Sequence, residues 1–312
     1  MAKRKVFWHI GPADLGTAFL AEALEARTTD FADLGILVPG TAAEMRDAGL
    51  ELRRAHQDGG RTRADVEGTW ARIERRIWAN KGITLLNTPD LSKAERAQIR
   101  LALDGIRGVE LHPVLLVRDL PSQVQAGWQS ELEKGQTISP TTYAERVLDP
   151  LRDHPHAVSF WAGHDLSGIL DRWTRTLHAE RVHVIAVPDQ PDPIWDAFLR
   201  TAGIEGITRP DVPLPWSVPG RPALDADRVA EIAAGWTKRI NDGGFDMQGS
   251  LTASTGTTYA GTTDHLDALA TAATEIARLK AQVAALQAEN QHLDRKRRKH
   301  KRRLQTFTGQ AA

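Results

Sequence analysis

The chain has 312 residues, 41% of them hydrophobic, with nine tryptophans and no run of the roughly 18–20 apolar residues that a bilayer span requires. It contains no cysteine, which excludes disulfides, thiol catalysis and cysteine-ligated metals and fits a cytoplasmic location. The formal net charge is zero, yet residues 295–303, RKRRKHKRR, hold eight of the forty Lys and Arg, so the remainder is acidic by eight.

The basic start Lys3-Arg4-Lys5 leads straight into an apolar run, without an h-region or cleavage site, so no signal peptide is expected. Val6 to Ile10 is short and lacks clean alternation, as expected of a parallel strand covered on both faces. Gly11-Pro12 ends it. Gly16 allows close backbone approach, Thr17 can cap or ligate, and Phe19, Leu20 and Leu24 share one face of the following helix. A strand that runs through such a loop into a helix aims backbone N–H groups and the positive dipole end at one spot, which suits a phosphate.

Farther along, Ala32 to Pro39 predicts a turn into a second short strand. Val66, Trp70, Ile73 and Ile77 mark the later of two helices between Thr41 and Asn80, parted by Asp58-Gly59-Gly60. A strand over Ile83 to Thr88 ends at Pro89, and a helix follows from Leu91 to Ile106. Val109 to Val117 is a buried strand, with Arg118-Asp119-Leu120-Pro121 and a helix through Gln129 to Lys134 after it. From Phe160 a helix places Leu166, Ile169, Leu170 and Trp173 on one face, a strand covers Val182 to Val187, and another helix covers Pro191 to Ile204. His164, His178 and His183 do not have metal-ligand spacing and read as surface or strand-end histidines; no metal site is expected. Five prolines between Arg209 and Pro222 dictate a loop, packed by Trp216, before a last helical segment from Leu224 to Leu251.

Residues 252–263 form a low-complexity linker. Beyond it Leu269, Ala272, Ile276, Leu279, Val283, Leu286, Asn290 and Leu293 recur at spacings of three and four. With Ile and Val at a, Leu at d and one Asn at a, this seam favours a parallel two-stranded coiled coil. The same pattern also suits one amphipathic helix docked on the globular part. The organisation expected is a globular α/β domain over 1–251, a linker over 252–263, a coiled-coil helix with a basic end over 264–304, and a disordered tail over 305–312.

The opening resembles the sulfotransferase family, in particular its bacterial branch, whose loop runs roughly H-I-G-P-P-K-T-G-T-T-Y-L. His9, Ile10, Gly11, Pro12, Gly16, Thr17 and Leu20 match; Ala13, Asp14, Leu15 and Ala18 depart. The later V-R-D-L segment ending in Arg118, the Trp128-Gln129 pair and the ending GFDMQGSL resemble further family segments, so the likeness spans about Lys5 to Leu251. It implies a three-layer α/β/α fold of the P-loop NTPase-like kind with a mostly parallel sheet. It also implies that Gly11, Pro12, Gly16, Thr17 and Arg118 bind the donor 3′-phosphoadenylyl sulfate, a co-substrate, with no resident cofactor required. Arginine suits the donor's 3′-phosphate because its planar fork donates two hydrogen bonds at once. An Arg-Asp pair at a strand end is equally a common salt bridge.

The departures bear on chemistry. Asp14 stands where the family has its lysine. Losing a charge-assisted hydrogen bond of about 1.5–3 kcal/mol and adding a like charge worth up to about 4 kcal/mol at ~4 Å weakens donor binding by several orders of magnitude. Where the family carries S-H-E with its base, this chain has Asn87-Thr88-Pro89, none of which does general-base work near neutral pH. Asp90 is the nearest carboxylate. The family's partner serine eight residues after the arginine is Ala126. G-x-x-x-x-G-K-[ST] is absent, since Thr17-Ala18 follow Gly16, which argues against a kinase or ATPase.

Three functions follow. The first is a catalytically impaired family member acting as a nucleotide-binding or scaffolding module, dimerised through Leu269 to Leu293. The second is an active sulfotransferase moving a sulfuryl group to a hydroxyl acceptor. The third is a polyanion-binding protein acting through Arg295 to Arg303 by phosphate neutralisation.

Overall fold

The structure is a computed structural model. It describes residues 4–12, 19–88, 90–175, 177–186, 191–213 and 224–251, and single positions between 275 and 297. The chain divides into two compact units, Met1–Trp128 with Pro140–Tyr259, and Gln129–Ser139 with Ala260–Ala312.

The first unit is built on five strands, β1 (Lys5–His9), β2 (Ile83–Asn87), β3 (Glu110–Val117), β4 (His183–Ala186) and β5 (Asp246–Gln248), in the order β2-β1-β3-β4-β5. Every pairing is parallel, with His9 opposite both Asn87 and Val114. The helices are, in chain order, α1 (Phe19–Ala26), α2 (Thr28–Asp33), α3 (Ala42–Arg53), α4 (Arg63–Val66), α5 (Thr69–Ala79), α6 (Arg96–Gly105), α7 (Leu120–Glu133), α8 (Pro140–Leu148), α9 (Pro155–His164), α10 (Leu166–Trp173), α11 (Pro191–Thr201) and α12 (Ala226–Gly243).

Successive strand residues point to opposite faces, and β1 shows both layers. Trp8 stacks on Trp70 of α5 at 5.1 Å and meets Trp173 of α10 edge-on at 5.8 Å. His9, on the other face, meets Phe198 of α11, which in turn carries Trp195 against Phe31 of α2. The result is the three-layer α/β/α arrangement expected, with strands that are near-continuously apolar because both faces are covered. Pro113 lies inside β3 without disrupting it. The Val114 carbonyl accepts from Ile10 on the β1 side, so Pro113 turns its donorless nitrogen toward β4, one residue before β4 starts opposite Val114.

Several expectations need correction. The second short strand predicted over Ala32 to Pro39 is a single parallel bridge, Leu37 to Thr84, because Gly35 with φ +71° and Pro39 leave no room for a ladder. The later helix before Asn80 is split into α4 and α5 at Gly68, which adopts φ +79°. The helix predicted from Leu91 starts at Arg96, since Glu95 forms a capping box with Gln98. The helix predicted from Phe160 is two helices broken at Asp165, whose ψ of 89° is not helical. His164 is buried rather than a surface residue, whereas His183 is the strand-end histidine expected, at the start of β4. β5 was not predicted at all. Three residues between Gly244 and Gly249, both with positive φ, are too few for a period. The Trp216 loop and the linker lie outside the described residues.

Candidate functional site

In an open parallel sheet the ligand crevice lies beyond the carboxyl ends of the strands, where neighbouring connections leave in opposite directions. With β2 on one side of β1 and β3 on the other, that point is between β1 and β3. Gly11 and Pro12 leave β1 there and Arg118 leaves β3. Gly11 lies against the β3 backbone: a Cβ on it would fall 3.4 Å from the Leu116 carbonyl oxygen and 2.9 Å from His9 Nε2. Glycine is therefore required by close approach. Gly16 and Thr17, and with them Asp14, lie outside the described residues.

Arg118 is held from behind. Asp119 caps α7 by accepting the Ser122 N–H at 2.8 Å. Gln123, one turn into the helix, donates its amide to the Arg118 carbonyl at 2.7 Å and accepts at 3.0 Å from His164 Nδ1. His164 is itself stacked on Phe160, ring centroids 4.3 Å apart. In the Arg-Asp dipeptide the aspartate fixes the helix and the arginine carbonyl, just past the end of β3, accepts from Gln123. Ala126, at the place of the absent serine, is buried.

The end of β2 is closed. Asn87 and Thr88 are fully buried. Asn87 Oδ1 accepts from His9 Nδ1 at 2.8 Å, and the Thr88 hydroxyl accepts from Trp8 Nε1. Burial pushes the His9 imidazole down to about 4, against the Asn87 hydrogen bond, which raises it. His9 is therefore neutral near neutral pH, with a proton on Nδ1 and a lone pair on Nε2 facing Gly11. Asp90, the nearest carboxylate, takes φ +65° and lies 3.2 Å from Lys93 and 3.8 Å from Arg53. It is a counter-ion to both rather than a free base. Backbone bonds from Asp90 N to Gly11 O and from Ser92 N to Ile10 O tie the β1 and β2 loops together. Among the described residues no His, Asp and Glu group could hold a metal.

Of the residues singled out in the sequence, Gly11 and Pro12 follow β1 and Arg118 follows β3, the ends of two neighbouring strands. What the sequence did not show is the bonding of His9 to Asn87 and of Gln123 to His164 and the Arg118 carbonyl.

No protein-family model matches the chain, and no curated protein does. Among solved structures it is similar to a crystal structure of a sulfotransferase from Alicyclobacillus acidocaldarius. That match has 11% identity and a TM-score of 0.49, and covers 77% of this chain and 94% of that one. A likeness of this degree carries no inference about chemistry.

Proposed function

We propose that the chain is a sulfotransferase-type protein without a working catalytic base, which uses its crevice as a nucleotide-binding or scaffolding module and dimerises through its C-terminal helix. The observation that carries this reading is the closed end of β2. Where proton abstraction from an acceptor hydroxyl would take place, Asn87 and Thr88 spend their polar atoms on His9 and Trp8 and are buried. Neither group accepts a proton near neutral pH. The residues fit the donor in part. Gly11 and Arg118 stand on adjacent strand ends as a phosphate site needs, while Asp14 and Ala126 take away a cation and a hydroxyl.

Dimerisation is supported by Leu279, Val283, Leu286 and Leu293, which are helical and exposed in the single chain, as a seam awaiting a second copy would be. Lys296 and Arg297 just beyond are helical and exposed as well, which keeps polyanion binding as a second reading.

Calorimetric titration with adenosine 3′,5′-bisphosphate tests the crevice. Saturable binding below millimolar ligand, weakened at least about tenfold by Arg118→Ala, the scale of one charge-assisted hydrogen bond, would support the nucleotide site. No binding at millimolar ligand would sink the nucleotide part. Sulfuryl transfer to hydroxyl acceptors should be absent, and turnover would overturn the impaired assignment.

A further inference from the structure

At the end of the sheet opposite the crevice, the connection from α6 to β3 borders a hollow of about 460 Å³. Its floor is apolar. Leu103 comes from α6, Ile106 and Val109 from the connecting turn, Leu111 from β3, and Leu177 stands just before the 3-10 turn Ala179–Arg181. Ile106 and Leu111 are buried, while Leu103, Val109 and Leu177 are half-buried. The wall is fixed by hydrogen bonds. Ile106 N–H donates to the Leu103 carbonyl at 3.2 Å and Val109 N–H to the Ile106 carbonyl at 3.3 Å. Trp78 Nε1 donates to the Gly105 carbonyl at 2.9 Å, which anchors the end of α6.

The rim carries charge. Arg107 forks onto Asp104 Oδ1 through Nε at 3.1 Å and Nη2 at 2.7 Å. Arg100 comes no nearer to that carboxylate than 4.0 Å, and its side chain is 78% exposed. That separation is beyond hydrogen-bond range. Two guanidiniums thus share one carboxylate, and among the described residues no second acid lines the hollow.

Sites for small molecules combine a mostly apolar lining with a few polar groups that fix orientation, in volumes of roughly 300–1,000 Å³. The occupant that matches these walls has an apolar body for the floor and one anionic head for the rim. A cationic head would meet the excess positive charge, and a compact anion would leave the floor wet. A carboxylate head suits the planar fork of an arginine. We propose that this hollow binds a small amphipathic carboxylate, its tail against Leu103, Val109 and Leu177 and its head on Arg100. β3 has eight residues, so its two ends lie roughly 23 Å apart. The hollow is therefore a second site, and it stands independently of the nucleotide reading.

The test follows amide shifts of the 312-residue chain by NMR as butanoate, hexanoate and octanoate are added in separate titrations, with 1-octanol and acetate as controls. Octanoate should give saturable shifts centred on Leu103, Val109, Leu111 and Leu177, and acetate should give none. Affinity should climb roughly fourfold per added methylene. Arg100→Gln, at an exposed position, should weaken octanoate about tenfold, the scale of one charge-assisted hydrogen bond, and leave both 1-octanol binding and the circular dichroism unchanged. If 1-octanol binds as tightly as octanoate, the carboxylate head is wrong. An affinity that stays flat along the series, or shifts centred on other residues, would overturn the site. Shifts of the same residues that follow protein concentration alone would give the hollow to a second copy of the chain and overturn the small-ligand assignment.

Discussion

His9 ties sequence, packing and stability together in one side chain. Its folded pKa of about 4 lies below the ordinary imidazole value of 6.5, so on acidification the unfolded chain binds the proton first. The stabilisation is complete above about pH 6.5 and drains away as pH falls toward about 4, reaching about 3 kcal/mol at ~1.4 kcal/mol per pH unit. Urea midpoints between pH ~7 and ~4 should fall more steeply for the wild type than for His9→Gln, which has no ring to protonate; equal slopes would refute the buried neutral imidazole. That Asn87 and Thr88 stand at the end of β2 was legible, because they can be read directly. Their engagement with His9 and Trp8 was not, since the partners lie 78 and 80 positions apart. The Gln123 and His164 support of Arg118 escaped for the same reason, spanning 41 positions.

Elements were legible where their signals are local. The amphipathic spacing over Trp70, Ile73 and Ile77 became α5 with all three buried, and the strand predicted over Val109 to Val117 became β3. Boundaries depended on capping chemistry that periodicity ignores, as at Glu95. The α3 N-terminus shows the same device: Glu44 N–H donates to Thr41 Oγ1 at 3.1 Å, Thr41 N–H donates to Glu44 at 3.2 Å, and Glu44 pairs with Arg76 of α5 at 2.8 Å. The hydrogen bond from the Arg76 guanidinium holds the Glu44 carboxyl below its usual range. Thr41→Ala should lower stability by about 1 kcal/mol in chemical denaturation. Thr41→Ser should lose little. If the two variants lose equally, the hydroxyl is not what matters at this cap.

On the scale of the whole molecule, the three-layer α/β/α class with a mostly parallel sheet was expected from the resemblance, whereas strand order was not. No local signal says that β1 lies between β2 and β3, and the edge strand β5 is too short to announce itself. The association predicted for the C-terminal helix belongs to this scale. A chain ending at Leu251 should sediment as a monomer while keeping the circular dichroism of a folded α/β domain, with the longer chain a dimer; a dimeric truncation would remove the helix from the interface.

The central place of β1 also matters during synthesis. Lys5–His9 is made before both of its partners, Ile83–Asn87 and Glu110–Val117. At roughly 5–20 residues per second, the second partner follows on the order of ten seconds later. For that interval Val6, Phe7 and Trp8, wholly interior in the finished fold, travel on a nascent chain with nothing to pair them. During that wait this apolar segment is one that a holding chaperone at the ribosome exit would cover.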